Sequence, residues 1–252
     1  MATGTACRLY RANFKKIFML ETKNPLAVRR KVSFCEAIHD SHAEVEGIRA
    51  EKVSGPDQFE AAWQKAVIPV IADPEWESIK QISPHVVIDA MIAKKNLGTA
   101  RSEAELVIGL GPGFEAGKDV HVVIETNRGH NLGRLIFRGC PEPDTGIPGN
   151  IGGYTAERVL RAPCSGIFLS DLEIGSIVKE KEITGYVDKT PVTADISGVI
   201  RGQIRPGSRV KKNMKIGDID PRAEKKYCTT VSEKARAIGG SVLEAVLNRF
   251  NT

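Results

Sequence analysis

The stretch from Ala162 to Gly185 recurs from Ala194 to Gly217, and this internal repeat constrains the fold more than any other feature. Ala162, Ser165, Gly166, Gly175, Ser176, Val178, Lys179 and Gly185 are matched by Ala194, Ser197, Gly198, Gly207, Ser208, Val210, Lys211 and Gly217. Apolar positions agree as well: Ile167 with Val199, Phe168 with Ile200, Leu172 with Ile204, Val187 with Ile219. Each copy reads as a small turn, a strand, a Gly-containing turn, a second strand and a further turn. A unit this short cannot bury its own apolar face, so the two copies must pack on each other.

At 252 residues the chain has room for two compact domains. Its 36 basic and 31 acidic residues give a net charge of +5. That charge is spread along the chain, and the small clusters Arg29-Arg30-Lys31 and Lys211-Lys212 read as solvated faces, so nucleic acid is not an expected partner. No apolar run reaches membrane-spanning length and no signal peptide is expected, which excludes a membrane partner on this reading. The five cysteines are scattered without a C-x-x-C, as expected of reduced thiols in a cytoplasmic protein.

The repeated pattern Ala-x-x-Ser-Gly, then Gly-Ser-x-Val, resembles the two halves of a biotinyl/lipoyl-type barrel-sandwich domain. In such carriers the modified lysine sits at the tip of the hairpin joining the halves. Here that hairpin is Tyr186-Val187-Asp188-Lys189-Thr190-Pro191-Val192. Its arms are about two residues shorter than in carriers, which retracts the tip by one ladder pair. Pro191 also removes a ladder donor from one arm. No covalent biotin or lipoate is therefore expected on Lys189, and a scaffold or binding module is the better expectation.

In the N-terminal half, Thr5–Asn13 reads as a helix and Lys16–Glu21 as a strand. An acidic residue ending the second strand of a dinucleotide-binding fold holds a ribose hydroxyl, the position Glu21 would take. The first strand and Gly-rich loop of such a fold would precede Met1-Ala2-Thr3-Gly4. The reading is thus a Rossmann-like α/β domain over 1–98, incomplete at its N-terminus. The alternative is a helix-first α/β domain in which Glu21 is a plain strand-end carboxylate. Val67–Ala72 and Val86–Ala93 read as buried strands around a short helix ending at Gln81. Asp89 inside the second strand needs a hydrogen-bonding partner, because a buried carboxylate without one is costly. His39, His42, Glu44 and Glu46 lie in a polar stretch and read as exposed loop residues.

Residues 99–155 read as a β-rich connecting segment. Its Gly-rich loop, Gly109-Leu110-Gly111-Pro112-Gly113-Phe114-Glu115-Ala116-Gly117, permits close backbone approach to a ligand or serves as a tight turn. The following strand, Val120–Asn127, places Val120, Val122 and Ile124 on one face and His121, Val123, Glu125 and Asn127 on the other. His121, Glu125 and His130 are the candidate metal ligands, with Glu125 and His130 also candidates for acid–base work. The bland alternative packs His121 into the core and pairs Arg128 with Glu125 at the surface. The barrel-sandwich β domain is expected over 156–221 and a C-terminal helical segment over 222–252, its helix Ser232–Asn248 capped by Ser232. Cys228 is a candidate catalytic thiol just ahead of that helix, where a thiolate is stabilised. Cys140 is a second candidate thiol.

Longer motifs carry a family resemblance. Ile92–Thr99, Val107–Gly117, Ile124–Gly133, Asp144–Gly149, Ile216–Arg222 and Ser232–Ala235 resemble the YqeB-type family of selenium-dependent molybdenum hydroxylase maturation proteins. The resemblance implies an accessory factor that binds an anionic cofactor intermediate, a nucleotide or a molybdopterin-type group. Its partner would be a selenium-dependent molybdenum hydroxylase or that enzyme's cofactor-handling proteins. Gly109, Gly111, Gly113, Gly117, Lys94, Lys95, Asn96, Thr99, Arg128 and Glu21 are the cofactor-binding candidates on this reading. Competing readings are a nucleotide-dependent oxidoreductase and a lipoyl/biotinyl-like carrier or scaffold. Whether the chain is an enzyme, and its oligomeric state, stay open at this point.

Overall fold

The computed structural model describes residues Met1–Asn251, which divide into two compact units. The first unit comprises Met1–Lys23, Ile48–Thr145 and the stretch from Val231 onward; the second comprises Asn24–Gly47 and Gly146–Thr230.

The first unit is α/β. It contains α1 (Ala2–Arg11), β1 (Met19–Glu21), β3 (Ile48–Val53), α3 (Phe59–Gln64), β4 (Ile68–Ala72), α4 (Glu77–Ile82) and β5 (Val86–Asp89). Then follow β6 (Leu106–Leu110), β7 (Val122–Ile124), β8 (Leu135–Ile136) and α5 (Glu233–Phe250). β1, β4 and β3 pair in parallel in that order. β5, β6 and β7 form a second parallel group, closed by the antiparallel β8. Parallel strands need both faces covered, and β6 is buried at every position. Ile108, Leu110, Val122 and Ile124 pack on one side with Ile238, Val242 and Val246 of α5. Val107, Val120 and Val123 pack on the other with Phe114. Val122/Ile124 and Val123 thus take opposite faces, as alternation requires; Val120 belongs with Val123, because the regular strand starts only at Val122. The helix α5 is capped as its sequence indicates, the Ser232 hydroxyl accepting from the Ala235 N–H at 3.3 Å. It runs close to α1 because a side chain at Gly4 would lie 2.9 Å from the Ala235 Cβ, so glycine is needed at that crossing.

The second unit is mainly β, with α2 (Ala37–Asp40) and β2 (His42–Val45) from its N-terminal segment. Its other strands are β9 (Val159–Arg161), β10 (Gly166–Leu169), β11 (Ile177–Val178), β12 (Ile183–Val187) and β13 (Thr190–Thr193), then β14 (Gly198–Gln203), β15 (Arg209–Val210) and β16 (Lys215–Asp220). They form two antiparallel sheets of order β13-β12-β10-β15 and β11-β14-β16-β9. The repeat explains the arrangement. β15 of the second copy joins the sheet of the first, and β11 of the first copy joins the sheet of the second. Phe168, Val187, Ile200, Ile204 and Ile219 from both copies then share one core.

Three segments fall in units other than those read along the sequence. Residues up to Thr145 are not a connector, because β6 and β7 complete the sheet begun by β5. The C-terminal helix likewise belongs to the first unit, where its apolar face finds that sheet. Asn24–Gly47 instead belongs with the β unit, and the Arg29-Arg30-Lys31 cluster is no solvated face. Arg29 donates to the Tyr227 carbonyl at 2.6 Å, Arg30 to that of Gln203 at 2.9 Å and Lys31 to that of Ile174 at 2.8 Å. Burial, aided by nearby Arg201, pulls the Arg29 pKa down to about 10.

Candidate functional site

The Gly-rich loop follows β6 directly, at the carboxyl end of a parallel strand, where ligands bind in such sheets. Its backbone is held by the protein itself. The Gly111 N–H donates to the Ile124 carbonyl at 2.9 Å, that of Ala116 to Gly139 at 2.8 Å, and that of Gly117 to Val120 at 2.8 Å. Gly113 has φ +110, and a Cβ there would stand 2.5 Å from the Lys95 Cα and N. The loop therefore docks against the Lys94-Lys95 backbone, and glycine is required for that contact. Lys94 reaches across to Asp144 at 2.6 Å, while the Lys95 side chain is exposed.

Asn96 and Thr99 organise the chain that presents these lysines. The Asn96 side chain accepts from the Gly98 N–H at 2.8 Å and donates to the Thr99 carbonyl at 2.9 Å. Thr99 donates its hydroxyl to Asp89 at 2.7 Å, and the Met91 N–H donates to the same carboxylate at 3.1 Å. Asp89 thus has the partners its burial demands.

Glu125 is the hub of the neighbouring turn. It is only 2% exposed, and its carboxylate accepts from the Asn127 N–H at 2.6 Å and the Glu142 N–H at 2.7 Å. Glu142 in turn accepts from the side chains of Asn127 and Asn131, which hold its carboxyl below the usual range. Arg128 pairs with Glu233 at 2.6 Å, bringing the turn to the start of α5. Glu125 and Arg128 do not form an ion pair. Lys234, the second residue of α5, is half-buried between these groups. Burial lowers its pKa, and the nearby Arg128 and Lys94 lower it further, against the opposing pull of Glu125 and Asp144. Among the described residues its ammonium makes no hydrogen bond or ion pair. Lys94 and Arg128 thus lie within electrostatic reach of Lys234 at the N-terminus of α5, whose dipole favours an anion, with Glu125 and Asp144 among the same neighbours. Lys234 lies in a motif of the family resemblance but carries no spacing signal of its own, so sequence reasoning did not single it out.

The remaining candidates lie apart. His121 and Glu125 flank β7, about 13 Å apart at a strand rise of about 3.3 Å per residue. His130 is exposed beyond the turn. Among the described residues no group of three or more His, Cys, Asp and Glu side chains is arranged to hold a metal ion. Cys228 is in the second unit, 2% exposed and packed with Ile174 and Val199. Burial pushes its thiol pKa up, so the expected thiolate gives way to a protonated core cysteine. Cys140 is exposed. Glu21 ends β1, with the Thr22 N–H donating to its carboxylate at 3.3 Å. Lys189 is exposed in a two-residue turn that Asp188 ties back, accepting from the Ile167 N–H at 2.9 Å.

No family model matches the chain. An Escherichia coli (strain K12) protein described as "Uncharacterized protein YqeB" is 45% identical over 247 residues, 98% of this chain. The chain belongs to the YqeB-type family. It spans about half the length of that relative, 46% of it. Partial likenesses occur among solved structures. A succinylglutamatedesuccinylase/aspartoacylase from Rhodobacter sphaeroides is 19% identical with a TM-score of 0.23, over 33% of this chain and 29% of that one. The ectoine utilization protein EutE (DoeB) from Ruegeria pomeroyi is 12% identical with a TM-score of 0.23, over 80% and 52% of the respective chains. Likenesses this slight carry no argument about the YqeB-type fold or its chemistry. Among the described residues, no helix is long and apolar enough to cross a membrane.

Proposed function

We infer that this chain is part of a cytoplasmic accessory factor in the maturation of selenium-dependent molybdenum hydroxylases, and that it binds an anionic cofactor intermediate or nucleotide beside α5. The observation that carries this reading is the half-buried Lys234 ammonium, which has no hydrogen-bonding partner and stands with Lys94 and Arg128 at a helix N-terminus. A phosphate there would give the Lys234 ammonium the partner it lacks, by charge-assisted hydrogen bonds stronger than neutral ones. The residues fit the phosphate of a molybdopterin-type group, which would bring the metal-dependent chemistry; Lys234, Arg128 and Lys94 would hold its anionic end. The Gly109–Gly117 loop packs against the Lys94–Lys95 backbone and so positions Lys94. In this reading the first unit is Rossmann-like and the second a barrel-sandwich scaffold.

The test is anaerobic purification with elemental analysis for molybdenum and selenium, together with co-purification of a molybdenum hydroxylase. Metal content that disappears in Lys234→Met supports the reading. Protein free of both elements and of any such partner in selenium-replete cells counts against it. A second reading, a nucleotide-dependent oxidoreductase, draws on Glu21 at the carboxyl end of the parallel strand β1. NAD binding that is lost in Glu21→Gln would favour it.

A further inference from the structure

The first unit has a concave region at the end of α5 opposite Lys234. Arg249 lies fifteen residues beyond Lys234, about 22 Å along the helix axis at about 1.5 Å per residue. The cleft there has a volume of about 380 Å³, within the range of small-ligand sites and suited to a ligand of one or two rings. Leu106, Val122 and Ala245 are buried and give it an apolar floor. Phe137, 52% exposed, supplies an uncovered aromatic side.

Three of the five polar side chains of the cleft, Arg101, His121 and Arg249, are donors; Glu105 accepts, and Asn248 can do either. The Val107 N–H donates to Nδ1 of His121 at 2.9 Å, which fixes the neutral ring as the Nε2–H tautomer. The imidazole can therefore offer a ligand only a donor. Arg101 spends one nitrogen on the Gly117 carbonyl at 2.7 Å and keeps the rest of its fork. Arg249 pairs with Glu105 at 3.1 Å, and both side chains are about half exposed. Two guanidinium groups facing one carboxylate leave the cleft cationic. Burial and the charges of Arg101 and Arg249 hold His121 below the usual histidine range, which places both arginines within electrostatic reach of the ring.

We propose that this cleft binds a small ligand made of an aromatic ring and one oxyanion. The ring lies on Phe137 and the apolar floor, and the oxyanion takes donors from Arg101, Arg249 and His121 Nε2. The site is separate from the anion site at Lys234, and its occupant need not be that site's ligand.

The experiment follows the His121 ring resonances by NMR, assigned with His121→Gln, while phenyl phosphate or benzoate is added to the intact chain. A saturable shift is expected. Arg101→Gln and Arg249→Gln should each weaken binding about tenfold, the loss of one charge-assisted contact. Both arginines are exposed, so circular dichroism should confirm an unchanged fold. Lys234→Met should leave the titration unaltered, which separates failure of this cleft from failure of the Lys234 site. Benzyl alcohol, which has the ring without the charge, should produce no saturable shift. The proposal is overturned if neither anion shifts His121 saturably up to millimolar concentration. It is also overturned if benzyl alcohol binds equally well, or if the shift survives both arginine substitutions and vanishes in Lys234→Met.

Discussion

Replacing Arg201 by Met tests how the β unit tolerates charge inside. Arg201 lies on β14, a strand buried at all six positions. Asp218 and Asp220, 2% and 0% exposed, lie on the paired strand β16. Arg201 donates to Asp218 at 2.8 Å through Nε and to Asp220 at 3.1 Å through one terminal nitrogen. Asp218 keeps Arg158 and Lys215 when Arg201 is lost, and Asp220 keeps Arg222. Breaking a buried pair costs roughly 3–5 kcal/mol, and the surviving partners set the expectation near the low end, about 3 kcal/mol. At about 1.4 kcal/mol per decade, the slowest-exchanging amides of β14 and β16 should exchange about a hundredfold faster. Both tryptophans, Trp63 and Trp76, are in the first unit, so hydrogen exchange of these two strands is the right assay, not tryptophan fluorescence. An acceleration below about fivefold, near 1 kcal/mol, would mean that the network is solvated and the reasoning wrong.

Other expectations are simpler to check. Iodoacetamide should alkylate exposed Cys140 long before buried Cys228, whose thiol is held protonated; equal rates by peptide mass spectrometry would contradict its placement. Gly113→Ala should destabilise the first unit by about 1–3 kcal/mol, since φ is positive and the new methyl would meet the Lys95 backbone; unchanged tryptophan-monitored urea unfolding would refute this. His121 has a folded pKa below its ordinary 6.5, so the unfolded chain binds the extra proton first as pH falls. Its contribution is present above pH 6.5 and is lost as acid is added below it, and His121→Gln should flatten stability in that window.

Part of this was legible in the sequence. The repeat required two copies on one core, and the shared cluster of Phe168, Val187, Ile200 and Ile219 is that core. The exchange of β11 and β15 was not legible, because two-residue strands carry no periodicity. Asp89 announced its need for partners by interrupting an apolar run, and Thr99 meets it. Asp218 and Asp220 carry no such mark. Charges at alternate strand positions read as a solvent face, yet here they are buried beside Arg158 and Arg201. The Gly-rich loop was visible as a place of close approach, although Lys95 is what approaches Gly113. Lys234 was hidden because its meaning depends on Lys94 and Arg128, which only the tertiary fold brings near.

The central claim, an anion site at Lys94, Arg128 and Lys234, is tested most directly by calorimetric titration of the chain with inorganic pyrophosphate. Binding to the unaltered protein should be saturable, weakened by salt, and reduced about tenfold or more in Lys234→Met. Absence of binding, or equal affinity in Lys234→Met with its fold intact, would contradict the account.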